Sequence, residues 1–243
     1  MSQIIPEISL VIPVYNEEGN LLQLTEEISR AMQCAERPWE VVFVDDGSSD
    51  ASLALIRDLA SRFPYVRYIA LAANCGQSAA FAAGFHEALG EIVITLDADL
   101  QNDPADIPAM LDARAREGVA MIVGWRVNRQ DTFAKRMASR FGNAVRNWIS
   151  GETIKDTGCS LKVMPRDMVL RLPVFTGVHR FYPTLMRLEG ADIAEVAVNH
   201  RPRGAGVSKY GIWDRARKTF FDLLAVRWLQ NRHVSYRIKE RNS

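Results

Sequence analysis

Val93-Ile94-Thr95-Leu96-Asp97-Ala98-Asp99-Leu100-Gln101 is the stretch on which the reading of this chain turns. An apolar run ends in two carboxylates one residue apart, then an amide. A buried carboxylate is costly unless it is paired or holds a metal, so a core strand ending this way points to a task at its end. On an extended chain, alternation puts Asp97 and Asp99 on the same side. Two hard oxygen donors there suit a divalent cation and a diphosphate together. The same letters also fit a strand followed by a solvated acidic turn, and D-x-D alone is too short to decide.

The preceding residues decide it. Residues 8–13 (ISLVIP), 41–44 (VVFV), 66–71 and 92–96 read as short buried strands. Helical spacing predicts helices over about 20–33, 51–62 and 78–89, with Ser49 or Asp50 as the cap of the second. The alanines of the third allow close packing on a sheet. Strand, loop and helix repeat three times before residue 100, which predicts a mostly parallel sheet with helices on both faces. Right-handed crossovers bring the strand ends to one edge, where such sheets bind ligands. Three of those ends carry polar clusters: residues 13–18 (PVYNEE), 45–50 (DDGSSD) and 97–101 (DADLQ).

Further on, a helix over about 105–117 leads to a strand at 120–124 and then to Arg126. Residues 127–150 read as a basic helical segment containing Lys135, Arg136 and Ser139. A polar turn at 156–160 enters a strand, and helices follow over 167–172 and about 179–189. Residues 193–198 read as a strand. A glycine-containing loop with Arg203 and Lys209 precedes a last helix over about 212–229, where tryptophans stand beside arginines. Such a helix suits a headgroup layer, although its apolar residues also fit ordinary core.

At 243 residues the chain can bury a full core. No run of about 18 apolar residues predicts a transmembrane helix, and the N-terminus has no leader pattern. Three widely spaced cysteines, Cys34, Cys75 and Cys159, argue against a disulfide framework or a zinc site and fit a reducing cytoplasm. The net charge of +1 hides an asymmetry: from His200 onward there are eleven Lys/Arg against three Asp/Glu. That tail predicts an anionic partner.

Pro13-Val14-Tyr15-Asn16-Glu17, Val44-Asp45-Asp46-Gly47-Ser48-Ser49-Asp50 and Asp97-Ala98-Asp99-Leu100-Gln101 together resemble the family 2 glycosyltransferases of the GT-A fold. Among these the likeness is to dolichol- or polyprenyl-phosphate sugar synthases. Asn74-Cys75-Gly76-Gln77, Arg126, Asp156-Thr157-Gly158-Cys159-Ser160, His179-Arg180-Phe181 and Gly206-Val207-Ser208-Lys209-Tyr210 extend it over most of the chain, in the family's order. Many members of that family continue into transmembrane helices, a departure from which a separate integral membrane partner is one expectation.

The resemblance implies inverting transfer of a sugar from a GDP- or UDP-linked donor to a polyprenyl phosphate. Pro13, Tyr15, Glu17, Asp45 and Asp46 would hold the nucleotide, with Asp97 and Ala98 at the diphosphate and Ser208, Lys209 and Tyr210 closing over the donor. Asp97, Asp99 and Gln101 would hold Mg²⁺ or Mn²⁺. Lys135, Arg136 and Ser139 would bind the lipid phosphate. Arg126 and Arg180 would lie near the phosphates, and Asp156 is a catalytic carboxylate of undecided role. Residues 1–211 form the expected catalytic domain. Residues 212–243 form an amphipathic helix and basic tail at the inner face of the membrane.

Two other functions compete. A family 2 transferase acting on a hydroxyl would need an essential base such as Asp156. A noncatalytic nucleotide-sugar scaffold for a membrane protein would have no need of the metal carboxylates. No nucleic-acid motif accompanies the basic tail, so nucleic acid is not an expected partner. His179 and His200 read as structural, Asn74 and Gln77 as helix caps, and Cys75 and Cys159 as packing residues.

Overall fold

The computed structural model describes residues 5–33, 35, 37–127, 151, 153–202, 212–234 and 240, without the side chains of 212–220. Seven strands form one sheet: β1 (Ile8–Val14), β2 (Trp39–Asp45), β3 (Val66–Ala70), β4 (Ile92–Thr95), β5 (Met121–Arg126), β6 (Lys162–Pro165) and β7 (Ile193–Val198). Their order is β3-β2-β1-β4-β6-β5-β7. Pairings β1–β2, β1–β4, β2–β3 and β5–β7 are parallel; β6 runs antiparallel between β4 and β5. The expected mostly parallel sheet is therefore present, with one reversed strand.

Helices α1 (Leu21–Gln33), α2 (Ser52–Arg62) and α4 (Ile107–Glu117) cover one face. There Leu24, Ile28, Ile56, Leu59, Ile107 and Met110 meet Leu10, Ile12 and Phe43. The other face takes α3 (Gln77–Glu87), α6 (Tyr182–Leu188) and α7 (Ile212–Arg232), with Phe81, Phe85, Leu185, Leu223 and Val226 against Val11, Val42 and Val93. Burial on both faces explains why β1 reads as an unbroken apolar run. Helix α3 sits very close: a Cβ on Gly84 would stand 2.3 Å from Val11 Cγ1 and 3.0 Å from Val44 Cγ2. The short helix α5 (Arg166–Val169) follows β6.

Several boundaries differ from expectation for physical reasons. The ladder of β4 ends where Thr95 pairs with Val11 and Lys162. Leu96 and the acidic motif are thus beyond the strand, and Leu100 turns left-handed at φ 60°. Asp97 and Asp99 therefore do not share one side of a pleat, as alternation predicted; a turn brings them together. Strand β5 runs on through Arg126, so that arginine is on the sheet itself. The helix expected over 179–189 is split into a 3-10 turn (Val178–Arg180) and α6, because Pro183 has no N–H to bond His179 and is tolerated only in a first turn. Asp50 accepts the Ser52 N–H at 2.9 Å, while Ala51 occupies the cap position of α2.

Among the described residues no helix is long and apolar enough to cross a membrane. Residues 128–150 and 203–211 lie outside them. With these go the expected basic helix with Lys135, Arg136 and Ser139, and the loop with Ser208, Lys209 and Tyr210.

Candidate active site

The carboxyl ends of β1, β2, β4 and β5 share one edge, and the amino end of reversed β6 joins them. The first two end in loops zipped to one another. Asn16, left-handed at φ 57°, donates its N–H to Ser48 Oγ (3.0 Å) and accepts from the Ser49 N–H (2.8 Å). Ser52 Oγ accepts the Glu17 N–H at 2.9 Å, and Glu18 accepts the Ala51 N–H at 2.8 Å. The Glu17 carboxylate accepts from Asn20 Nδ2 at 2.6 Å. Pro13 is half-buried at the end of β1, and Tyr15 stands exposed at the rim.

Asp45 and Asp46 have different surroundings, although sequence reading paired them. Both Asp46 oxygens accept backbone amides of the next loop, Cys75 at 2.7 Å and Gly76 at 2.9 Å, so Asp46 braces that loop. Asn74 does not cap α3; its amide donates to the Asp46 carbonyl at 3.2 Å. Asp45 is 1% exposed. One of its oxygens accepts the Ser48 N–H at 3.3 Å, and the other, Oδ1, has no hydrogen-bond partner among the described residues. Buried acceptors are rarely left unmatched, which makes Asp45 Oδ1 a candidate ligand atom.

The acidic turn follows β4. Asp97 Oδ1 accepts from Gln77 Nε2 at 2.7 Å, so Gln77 serves the site and does more than start a helix. Burial, then the charge of Asp99, pushes the Asp97 carboxyl up to about 6, against a hydrogen bond from Ser160 and the charges of Lys162 and Arg126. Asp99 is buried, and its Oδ1 accepts the Gln101 N–H at 3.2 Å. Ala98 is buried too, which leaves only its backbone for a ligand. Mutual repulsion of two carboxylates is the condition a divalent cation relieves. The donor set is all oxygen, with Gln101 half-buried beside it. It fits Mg²⁺ or Mn²⁺, although no group of three or more His, Cys, Asp or Glu side chains gathers for a metal among the described residues.

Arg126 and Asp156 form a two-pronged ion pair, Nε to Oδ2 at 2.7 Å and Nη2 to Oδ1 at 2.9 Å, with both side chains largely buried. Burial opposes the charge on Arg126, but Asp156 holds its pKa above the usual arginine value. Gly158 makes room, since a Cβ there would stand 3.2 Å from Arg126 Nη2. Behind the pair, buried Lys162 donates to the Cys159 carbonyl; burial lowers its pKa. Sequence reading missed Lys162, because lysine in a short strand reads as surface, and nothing local says that acids surround it.

Arg180 ends the 3-10 turn. That turn is tied to α3: the Gly177 N–H donates to Ser78 Oγ at 2.9 Å, and Ser78 Oγ lies 3.1 Å from His179 Nδ1. Burial, then the charges of Arg180 and Lys162, pushes His179 down to about 3 from 6.5. Between those values the unfolded chain takes a proton that the folded chain refuses. This contribution to stability is present above 6.5 and is lost as pH falls towards 3. His179→Asn should therefore flatten the fall of the urea midpoint between about pH 7 and 4; an unchanged slope rejects the assignment.

This geometry has counterparts among known proteins. A family model described as Glycosyl transferase family 2 matches residues 9–170. The chain is 39% identical over 224 residues to a dodecaprenyl-phosphate galacturonate synthase of Rhizobium johnstonii, covering 90% of this chain and 66% of that protein. It is 38% identical over 207 residues to an undecaprenyl-phosphate 4-deoxy-4-formamido-L-arabinose transferase of Pectobacterium carotovorum, covering 85% and 63%. The chain thus spans just under two thirds of the length of these relatives. Glucosyl-3-phosphoglycerate synthase of Mycobacterium tuberculosis, solved with Mn²⁺ and UDP-glucose, superposes with a TM-score of 0.66 at 19% identity, covering 91% of this chain and 79% of that one. With Mg²⁺ and UDP the TM-score is 0.68 at 20% identity, with the same coverage. At that identity the likeness establishes the GT-A fold.

Proposed function

This chain belongs to glycosyl transferase family 2, and on that premise we propose that it moves a sugar, with inversion, from a nucleotide diphosphate to a polyprenyl phosphate. The observation that carries this reading is the order of groups along the sheet edge. The unmatched Asp45 oxygen stands at β2, the repelling acid pair at β4 and the Arg126–Asp156 pair at β5. Strand spacing puts about 10 Å between β2 and β4 and about 10 Å more to β5. Nucleoside, diphosphate and acceptor phosphate occur in that sequence during the reaction.

Asp45 Oδ1 accepts a base N–H of a uridine or guanosine donor, with Asp46 and Asn16 fixing the loops around it. Tyr15 lies at the rim of that end. Asp97, Asp99 and Gln101 would hold Mg²⁺ or Mn²⁺, which would supply positive charge to offset that on a departing nucleoside diphosphate. Gln77 keeps Asp97 turned towards the site. The family resemblance supports Ser208, Lys209 and Tyr210 as donor-binding residues. An acceptor phosphate monoester, with a second pKa of about 6, is already nucleophilic at neutral pH. It needs cations more than a base, and Arg126 and Arg180 would supply them; the family resemblance adds Lys135 and Arg136 as further cations and the Ser139 hydroxyl as a neutral donor. Asp156 is then a positioning carboxylate: both its oxygens are engaged by Arg126, which argues against a free base for a hydroxyl acceptor.

The acceptor's chain places the reaction at a membrane. Helix α7 supports peripheral binding to the inner face: Phe221, Leu224 and Trp228 are exposed at helical spacing, beside exposed Arg227 and Arg232. The test is nucleoside diphosphate release from a panel of nucleotide sugars, with Mg²⁺ or Mn²⁺ and a short polyprenyl phosphate. Release that depends on the lipid phosphate is expected. Turnover with a sugar alcohol but not with lipid phosphate overturns the reading.

A further inference from the structure

The three residues after β7 are fastened one by one to the acidic turn and the residues that follow it. Asn199 donates its N–H to Asp106 Oδ2 at 2.7 Å and its side-chain amide to Asp106 Oδ1 at 3.0 Å. His200 pairs with Asn102 in an isolated antiparallel bridge. The Arg201 N–H donates to the Gln101 carbonyl at 2.9 Å. Pro202 suits this arrangement, because a residue before proline is biased to extended backbone. The Arg201 guanidinium then spans two acids, Asp103 Oδ2 at 2.6 Å through Nη2 and Glu27 Oε2 at 2.7 Å through Nη1. One acid follows the turn, and the other is on α1. What these contacts hold is a strained piece of chain. Leu100 is buried and left-handed at φ 60°, a conformation that a leucine keeps only where its neighbours fix it. Gln101, next in line, has its N–H on Asp99 Oδ1 and its carbonyl on Arg201.

We propose that Arg201 is a positioning residue for the metal site: its forked donors pin the turn that carries Asp99 and Gln101 to α1 and to the chain beyond β7. The inference rests on the reading of Asp97, Asp99 and Gln101 as the groups that would hold the cation. Five N–H donors in a rigid fork let one arginine engage two carboxylates at once, which a lysine ammonium does less well. A positive charge near this turn acts on a divalent ion in two opposite ways. By charge alone it repels the ion, so its removal should tighten binding. By fixing Gln101 it keeps the donor set in register, so its removal should loosen binding. Loss of an outer contact of this kind costs about 10- to 100-fold in metal affinity. The sign of the change therefore separates positioning from charge. Partly exposed ion pairs add little to global stability, so the main effect falls on the site and not on the fold.

Mn²⁺ binding to the full chain is read from the EPR signal of the free aqua ion, without nucleotide and with UDP or GDP, each against a protein-free blank. Arg201→Ala should weaken binding about tenfold, with little change in the urea midpoint. Arg201→Lys keeps the charge and loses the fork, so it should also bind Mn²⁺ more weakly than the parent; it answers the question if the alanine variant does not fold. Asp99→Asn should weaken binding at least as much as Arg201→Ala. If Asp99→Asn binds weakly while the Arg201 variants bind as tightly as the parent or tighter, the inference is wrong and the metal reading stands. If the parent binds no Mn²⁺, or Asp99→Asn binds it as the parent does, the metal reading fails and the inference with it. Weaker binding that comes with a collapsed urea midpoint in both Arg201 variants means general damage and also overturns the inference.

Discussion

Asp99→Asn is expected to lower kcat about a thousandfold, read as nucleoside diphosphate release at saturating substrate and Mg²⁺ or Mn²⁺. The change keeps the shape of the side chain, so the amide oxygen can still accept the Gln101 N–H that Asp99 Oδ1 accepts. It removes one of the two charges of the acid pair. Departure of a nucleoside diphosphate then proceeds without its main electrostatic support. A second readout belongs to the neighbour. Without the Asp99 charge, the Asp97 carboxyl should titrate lower in the metal-free protein, because one of the two causes that raise it is gone while burial remains. Undiminished turnover in Asp99→Asn would remove the metal role from this turn.

The second large effect concerns Arg126 and Asp156. Arg126→Ala leaves Asp156 buried without its guanidinium, which should cost about 3–5 kcal/mol in urea unfolding. It should also lower kcat/KM by a factor of about 100 or more, through loss of a fixed cation at the phosphates. Stability and activity can be separated. Arg126→Met combined with Asp156→Leu replaces the pair with apolar volume, which is often neutral for folding. The double variant should regain most of the lost stability and none of the activity. Recovery of activity in it would show that the pair is structural only.

Much of the fold was legible because both faces of the sheet are covered. Residues 8–13 and 41–44 are apolar at nearly every position, and such runs have few other readings. The direction of β6 was not legible: Lys162–Pro165 pairs antiparallel with β4 and β5, and periodicity carries no sign of direction. In the site, residue types were informative and their geometry was not. The acid pair was recognisable, but the place where β4 stops depends on the length of its partners' ladders, which are distant in sequence. Asp45 and Asp46 look equivalent in the chain and part company only when the 74–76 loop folds over one of them. Gln77 was legible only as part of a family motif and as a helix cap, and Lys162 not at all, because their partners, Asp97 and Asp156 among them, arrive from other segments.

The reversed strand also has a consequence for how the molecule assembles. Strands β1 to β4 come from residues 8–95 and pair only among themselves and with β6. This half has short crossovers and is synthesised before the rest, so its sheet can form early. The other half waits for residues 162–165 to slot between β4 and β5, a closure over about 65 residues that carries a larger loop-entropy barrier. The β1–β2 end of the candidate site would thus be shaped before the β5 end exists. Until β6 arrives, the edge of β4 is an open strand, and that edge is where a stalled chain would mispair.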